Sequence, residues 1–319
     1  MIDMDLKSAN VVLLEENSAI RRLVKSTLLG IGFGTVNECG TAEAARRIVE
    51  STESDLLIVD LDHEGEAVCA IINDIRHARV GNNPFVTIIG LSHNPAEEVI
   101  EKVLDAGTDD LVRKPISTKL LSERITNLIQ NRKDFVATSD YVGPQRSKGV
   151  RPETENAAKV EVPNRLRDKV YGNKRRDGAG KIDEGAIQRA AEAVNLQRLS
   201  GLVLLIINKS AQLEGAIAGG ASSVDIVEDV SRLSHLVSEA KRIRLSQGVH
   251  DTSQLNASMA RVMTAISESP APSVRQVEVL RLHAQAIAAT TRGDTTAAGK
   301  VVSAFNEVTP SEPQSVAAD

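Results

Sequence analysis

Four short apolar runs constrain the first 130 residues most, because each ends in a charged or hydroxyl side chain. Val11–Leu14 leads into Glu15-Glu16, and Leu56–Val59 into Asp60, with Asp62 just beyond. Val86–Leu91 leads into Ser92, and Leu111–Val112 into Lys114-Pro115. Such runs suit strands buried on both faces, as in a parallel sheet. Thr35–Glu38 supplies a fifth strand. Between the runs, Ile20, Leu23, Val24, Thr27 and Leu28 share a helical face that stops at Gly30 and Gly32. Thr41 caps Ala42–Glu50, Ala67–Arg76 has helical spacing, Pro95 opens a helix with Glu97 and Glu98 in its first turn, and Ser117 caps a last one to near Asn131. Five βα units predict an α/β domain, a doubly wound five-stranded parallel sheet with helices on both faces. Chemistry in such folds gathers at the carboxyl ends of the strands.

Those ends carry Glu15, Glu16, Asp60 and Asp62, with Ser92 and Lys114 on the facing loops. Four carboxylates converging on one crevice repel unless a cation lies among them, and a hard, oxygen-seeking ion such as Mg²⁺ answers that need. A lysine and a hydroxyl opposite could hold a phosphoryl group while one carboxylate acts as nucleophile. The expected chemistry is metal-assisted phosphoryl transfer to a carboxylate.

The segments LLEENSAIRRLVKSTLLGIGF, DLLIVDLD, INDIRHARVGNNPFVTIIGLSHN and DAGTDDLVRKPIS together resemble the successive blocks of bacterial two-component response-regulator receiver domains, over roughly residues 8–130. The resemblance implies a flavodoxin-like fold, Asp60 as acceptor of a phosphoryl group from a histidine kinase or phosphotransfer protein, and Mg²⁺ as cofactor. It implies Glu15, Glu16, Asp60 and the backbone carbonyl of Asp62 as metal ligands. Ser92 falls on the switch hydroxyl, Lys114 on the lysine that contacts phosphoryl oxygens, and Pro115 on a proline preceded by a cis peptide bond. The chain departs from the pattern at Glu16, where Asp is usual, and at Leu111, where an aromatic ring is usual. His63-Glu64, Ala67-Val68 and His93 are further departures, the last narrowing access to Asp60.

Charge sets the remaining boundaries: a receiver over 1–131, a basic, partly disordered linker over 132–182, a helical effector domain over 183–308 and a disordered tail over 309–319. Residues 1–130 carry a net −8, whereas 131–182 carry +6 with three Pro and five Gly. The cluster Arg165, Arg167, Lys169, Lys174, Arg175 and Arg176 is expected to be a solubilising tether. Helical spacing runs over Glu184–Leu213, from Ser222, through Leu255–Ile266 and from Ser273, and Asp294 caps a short helix ending near Phe305, which predicts an all-α antiparallel bundle of five helices. Its small-residue faces also admit a homodimer. His235 and His283 lack the lysine and glycine that follow the histidine of phosphotransfer bundles.

The formal charge of −5 and the scarcity of aromatics, 2% with no Trp, speak against nucleic acid and anionic membranes as partners. Two cysteines, Cys39 and Cys69, give no disulfide framework, so a cytoplasmic location is expected. The longest uncharged apolar run, Leu199–Asn208, is about half a membrane span. Two functions follow. One is a response regulator with no separate enzymatic turnover, whose receiver controls a helical domain that binds an unidentified protein. The alternative is a degenerate receiver, an interaction module independent of phosphorylation.

Overall fold

A computed structural model describes residues 5–93, 97–146, 158–171, 184–243, 250–269 and 271–291, in two compact units, Met1–Val194 and Asn195–Asp319. The first holds strands β1 (Asn10–Leu14), β2 (Thr35–Cys39), β3 (Leu56–Asp60), β4 (Thr87–Ser92) and β5 (Asp110–Arg113), all parallel, in the order β2-β1-β3-β4-β5. Helices α1 (Ser18–Ile31), α2 (Ala42–Ser51), α3 (Gly65–Arg76), α4 (Glu97–Ala106) and α5 (Thr118–Gln130) connect them. The doubly wound sheet expected from the sequence is present.

Alternate residues of each strand feed separate cores, which is why the runs are apolar throughout. Val11, Leu13, Leu56 and Ile58 meet Val24, Leu28, Leu121 and Ile125 of α1 and α5. Val12, Leu14, Leu57 and Val59 meet Val49, Ile72, Ile75 and Val103 of α2, α3 and α4. The Asn17 side chain caps α1 by accepting from the Ala19 and Ile20 amides. Gly32, at φ 119°, ends α1 in a left-handed conformation that a side chain would strain. Thr41 and Ser117 cap α2 and α5 as their positions suggest. The strand order reverses direction between β1 and β3, so their carboxyl ends open onto one crevice.

Residues 132–182 require a correction, because the described parts of this basic segment are folded onto the receiver. Strands β6 (Phe135–Ala137), β7 (Val142–Pro144) and β8 (Lys159–Val160) form an antiparallel sheet, and α6 (Arg165–Tyr171) follows. Strands of two or three residues have no readable period; contacts distant in sequence order them instead. Phe135 meets Phe85 edge-on at 5.5 Å between centroids, and the guanidinium groups of Arg76 and Arg132 lie 5.1 and 5.0 Å from its ring centroid. Ala190 and Val194, early in α7 (Glu184–Ala218), complete that apolar cluster. Leu166 and Val170 of α6 join the α1/α5 core. The basic cluster is not a free tether either: Lys169 Nζ lies 2.7 Å from Asp55 Oδ2, and Arg165 pairs with Glu53 and Asp55. Lys174, Arg175 and Arg176 lie outside the described residues.

A buried charge cluster fastens this extension. Arg76, 1% exposed, donates to the carbonyls of Pro84, Val86 and Gly107 and to Asp109 Oδ2 at 2.9 Å. Arg132, from the segment after α5, donates to Asp109 Oδ1 at 2.8 Å and to the Phe85 carbonyl. Burial raises the Asp109 pKa, but the charges of Arg132 and Arg76 outweigh it and hold the carboxyl below its ordinary value. At Gly107, φ is 102°, and a Cβ would stand 2.8 Å from both Arg76 Cγ and the Val142 carbonyl. Glycine is what lets β7 approach.

The second unit is a bundle of the rest of α7 with α8 (Ser223–Arg242), α9 (His250–Ser267) and α10 (Val274–Thr291). Leu199, Leu202, Ile206, Leu233, Met259 and Leu280 are among its core residues. The residues from Asp294 to Phe305, expected as a fifth helix, lie outside the described residues. Gly185–Ala218 contains an 18-residue stretch of mean hydropathy 1.4, long and apolar enough by length and composition to cross a bilayer; the uncharged run alone understated this, and Leu199, Leu202 and Ile206 here face the bundle core. His283 is 1% exposed; its Nδ1 donates to the Val279 carbonyl at 2.7 Å, which leaves Nε2 to accept from Ser258 Oγ at 3.0 Å.

Two outcomes follow from these buried groups. Asp109→Asn leaves Arg76 and Arg132 without their carboxylate and costs the receiver unit about 3–5 kcal/mol in urea unfolding; a cost under about 1 kcal/mol would show that the guanidiniums need only their carbonyl acceptors. Burial lowers the His283 pKa, so the folded bundle binds that proton more weakly than the unfolded chain. Stability is then complete above the ordinary histidine value and is lost as pH falls below about 6.5. Thermal melts at stepped pH should show that loss reduced in His283→Gln, and equal slopes would contradict it.

Candidate functional site

Each strand end delivers the side chain expected of it. Glu15 follows β1, Asp60 closes β3, Ser92 closes β4 and Lys114 follows β5. Parallel register places Asp60 beside Leu91 and Ser92 beside Arg113, so the four ends lie level. The Lys114–Pro115 peptide bond is cis.

Lys114 is the centre of the site. Its Nζ lies 2.7 Å from Asp60 Oδ1, 2.8 Å from Glu15 Oε2 and 3.1 Å from Asp62 Oδ2, and its side chain is 3% exposed. Three N–H bonds thus face three carboxylates. Burial lowers an ammonium pKa, but the hydrogen bonds to Asp60 and Glu15 outweigh it here and the net shift is upward. The cation demanded by converging carboxylates is, for three of them, this lysine.

The two oxygens of Asp60 differ. Oδ1 accepts from Lys114 and, at 3.1 Å, from the Asp62 amide. Oδ2 is buried without a hydrogen-bond partner. An unsatisfied buried carboxylate oxygen is costly and marks a place where a ligand can bind.

Glu16 stands apart from the lysine. Its Oε2 lies 2.9 Å from His63 Nδ1, with both side chains more than half exposed. It borders, with Asp60, His63 and Glu64, a small cleft. Among the described residues, no three His, Cys, Asp or Glu side chains gather as a ready metal cage. Mg²⁺ needs no such cage, because it keeps several waters and takes one or two carboxylates. The orphaned Asp60 Oδ2 and the carboxylate of Glu16 on the same cleft match that requirement.

The Asp62 carboxylate lies in the crevice as expected, but its pairing with Ser92 and His93 was not anticipated, because the resemblance gave a specific role only to its backbone carbonyl. Its Oδ1 accepts from Ser92 Oγ at 2.7 Å and from the His93 amide at 3.1 Å, and its Oδ2 lies 2.7 Å from His93 Nδ1. Burial raises its pKa, but the hydrogen bonds from Ser92, His93 and Lys114 hold it well below the usual carboxylate range. Ser92 and Lys114 therefore meet through Asp62. The readable signal was an acid two residues past Asp60, opposite a hydroxyl and a lysine. His93, expected to narrow access to Asp60, is instead found paired with Asp62 through its amide and Nδ1. Cys39 and Cys69 are free thiols, buried and half-buried. Burial pushes the Cys39 thiol up to about 11.

Sequence comparison agrees with this geometry. The family model for the response regulator receiver domain matches residues 11–126. These residues are a response regulator receiver domain. Relatives include the KDP operon transcriptional regulatory protein KdpE of Escherichia coli, 32% identical over 117 residues, which span 36% of this chain and 49% of that protein. The cyclic di-GMP phosphodiesterase of Thermotoga maritima is 25% identical over 139 residues, spanning 43% of this chain and 36% of that protein. The chain thus covers less than half the length of these two relatives. Among solved structures, a response regulator from Thermotoga maritima is 26% identical, covering 39% of this chain and 98% of that one, at a TM-score of 0.34. The receiver domain of sensor histidine kinase PA1611 from Pseudomonas aeruginosa, described with a magnesium ion coordinated in its active-site cleft, is 24% identical over 37% of this chain and 94% of that one, at a TM-score of 0.33.

Proposed function

We propose that the chain is a response regulator in which Asp60 accepts a phosphoryl group from a histidine kinase or phosphotransfer protein, and in which the receiver thereby controls a helical domain that binds a protein partner. The observation that carries this reading is the asymmetry of Asp60: one oxygen is anchored by Lys114 and the other is buried without a hydrogen-bond partner. Oδ2 forms a bond to phosphorus as the donor's P–N bond breaks, and the departing nitrogen keeps the electron pair. Lys114 orients Asp60, and Ser92 Oγ and Lys114 Nζ are the donors for the phosphoryl oxygens. Glu16, with Glu15, Asp60 and the Asp62 backbone carbonyl, would hold Mg²⁺. Bound there, the ion supplies positive charge against the phosphoryl oxygens.

Leu111 has no ring to swing with Ser92, so the signal leaves as backbone movement in the loop after β4. The folded extension rests against Phe85, next to the amino end of the same strand. The cytoplasm, where Cys39 and Cys69 stay reduced, is the proposed location. No separate substrate is turned over.

Phosphoramidate with Mg²⁺ should give one acid-labile phosphoryl adduct per chain, absent from Asp60→Asn, as read by intact-protein mass spectrometry. An adduct retained in Asp60→Asn would refute the assignment, and no adduct on the unaltered chain would favour a phosphorylation-independent module. Glu16→Asp, with a shorter reach, should bind Mg²⁺ more tightly by calorimetry; unchanged or weaker binding would mean that Glu16 is not a direct ligand.

A further inference from the structure

Asp62 presents to Ser92 and Lys114 the same chemistry that a phosphoryl group would. Its two anionic oxygens take Ser92 Oγ at 2.7 Å and Lys114 Nζ at 3.1 Å, the donors assigned above to phosphoryl oxygens. Two contacts from His93, its amide and its Nδ1, pin the same carboxylate from the outer side. Lys114 Nζ donates to Glu15 and Asp60 and is ion-paired with Asp62 at 3.1 Å, so a further anionic acceptor competes with these carboxylates for it. Asp60 Oδ1 and Glu15 Oε2 are fixed by β3 and by the turn into α1. Asp62 lies in the loop after β3 and, at 20% side-chain exposure, is the least buried of the three. It is the one able to leave.

We propose that the Asp62 carboxylate is an internal competitor of the phosphoryl group, a positioning residue that occupies Ser92 and Lys114 until phosphorylation of Asp60 displaces it. This rests on Asp60 being the phosphoryl acceptor. Asp62 slows phosphorylation, and it keeps the loop at Ser92–His93 ordered before the phosphoryl group arrives.

The test uses the full chain with phosphoramidate and Mg²⁺, following the Asp60 adduct by mass spectrometry. Asp62→Ala should label about tenfold faster or more, the scale of a lost charge-assisted hydrogen bond. Asp62→Asn, which keeps the shape but removes the charge, should fall between. The His93 amide should exchange with deuterium faster in Asp62→Ala. Acetate, matched for ionic strength with chloride, should slow labelling of Asp62→Ala but leave the unaltered chain unchanged, because only the variant has its donors free for an outside carboxylate. A merely structural residue would lower labelling and give no acetate sensitivity. Labelling of Asp62→Ala and Asp62→Asn at or below the rate of the unaltered chain would overturn the proposal while leaving Asp60 as acceptor. No adduct on any of the three chains would overturn both.

Discussion

One ammonium group decides how this receiver can be built. Parallel register brings Glu15 and Asp60 together at the ends of β1 and β3, and the loop after β3 adds Asp62. Without Lys114 Nζ among them, three carboxylates in a site almost closed to water would repel by several kcal/mol at short range. The lysine arrives from β5, 54 residues along the chain from Asp60 and 99 from Glu15. The site therefore exists only when the sheet is complete, which ties the chemistry to the fold.

The same device recurs at the other places where the receiver is held to its extension. Asp109 accepts from both Arg76 and Arg132, and Asp55 is paired by Lys169 and Arg165. In each case a buried carboxylate of the α/β unit captures at least one cation from the segment that follows it: Arg132 at Asp109, beside Arg76 of α3, and Arg165 and Lys169 at Asp55. Breaking such a pair leaves an uncompensated buried charge, so partners of this kind are held more firmly than surface pairs. The net +6 of residues 131–182 and the net −8 of residues 1–130 are in part the two sides of these contacts.

The strands, their order and the residues at their ends were legible because buried parallel strands write continuous apolar runs, and because a loop after a strand has few positions. Asp60, Glu15, Ser92 and Lys114 stand where that logic puts them. The extension was not legible. Phe135–Ala137 and Val142–Pro144 are too short for a period, and Arg132, Arg165 and Lys169 read as solvated charges until Asp109 and Asp55 are seen facing them. Asp62 shows the same limit at the site itself. Its backbone position implied a carbonyl ligand, whereas the fate of its side chain depended on Ser92 and His93, thirty residues away. Glu16 follows from its extra methylene, which lets the carboxylate swing out to His63.

The central claim is that Lys114 serves as the internal cation of the carboxylate cluster. Calorimetric titration of Mg²⁺ into the full chain and into Lys114→Met tests it most directly. Removing the ammonium leaves three carboxylates without their counter-charge, and Mg²⁺ should then bind more tightly by about tenfold, the scale of one unit charge a few ångströms away in a partly screened site. Equal or weaker Mg²⁺ binding by Lys114→Met, with the fold retained by circular dichroism, would contradict that claim.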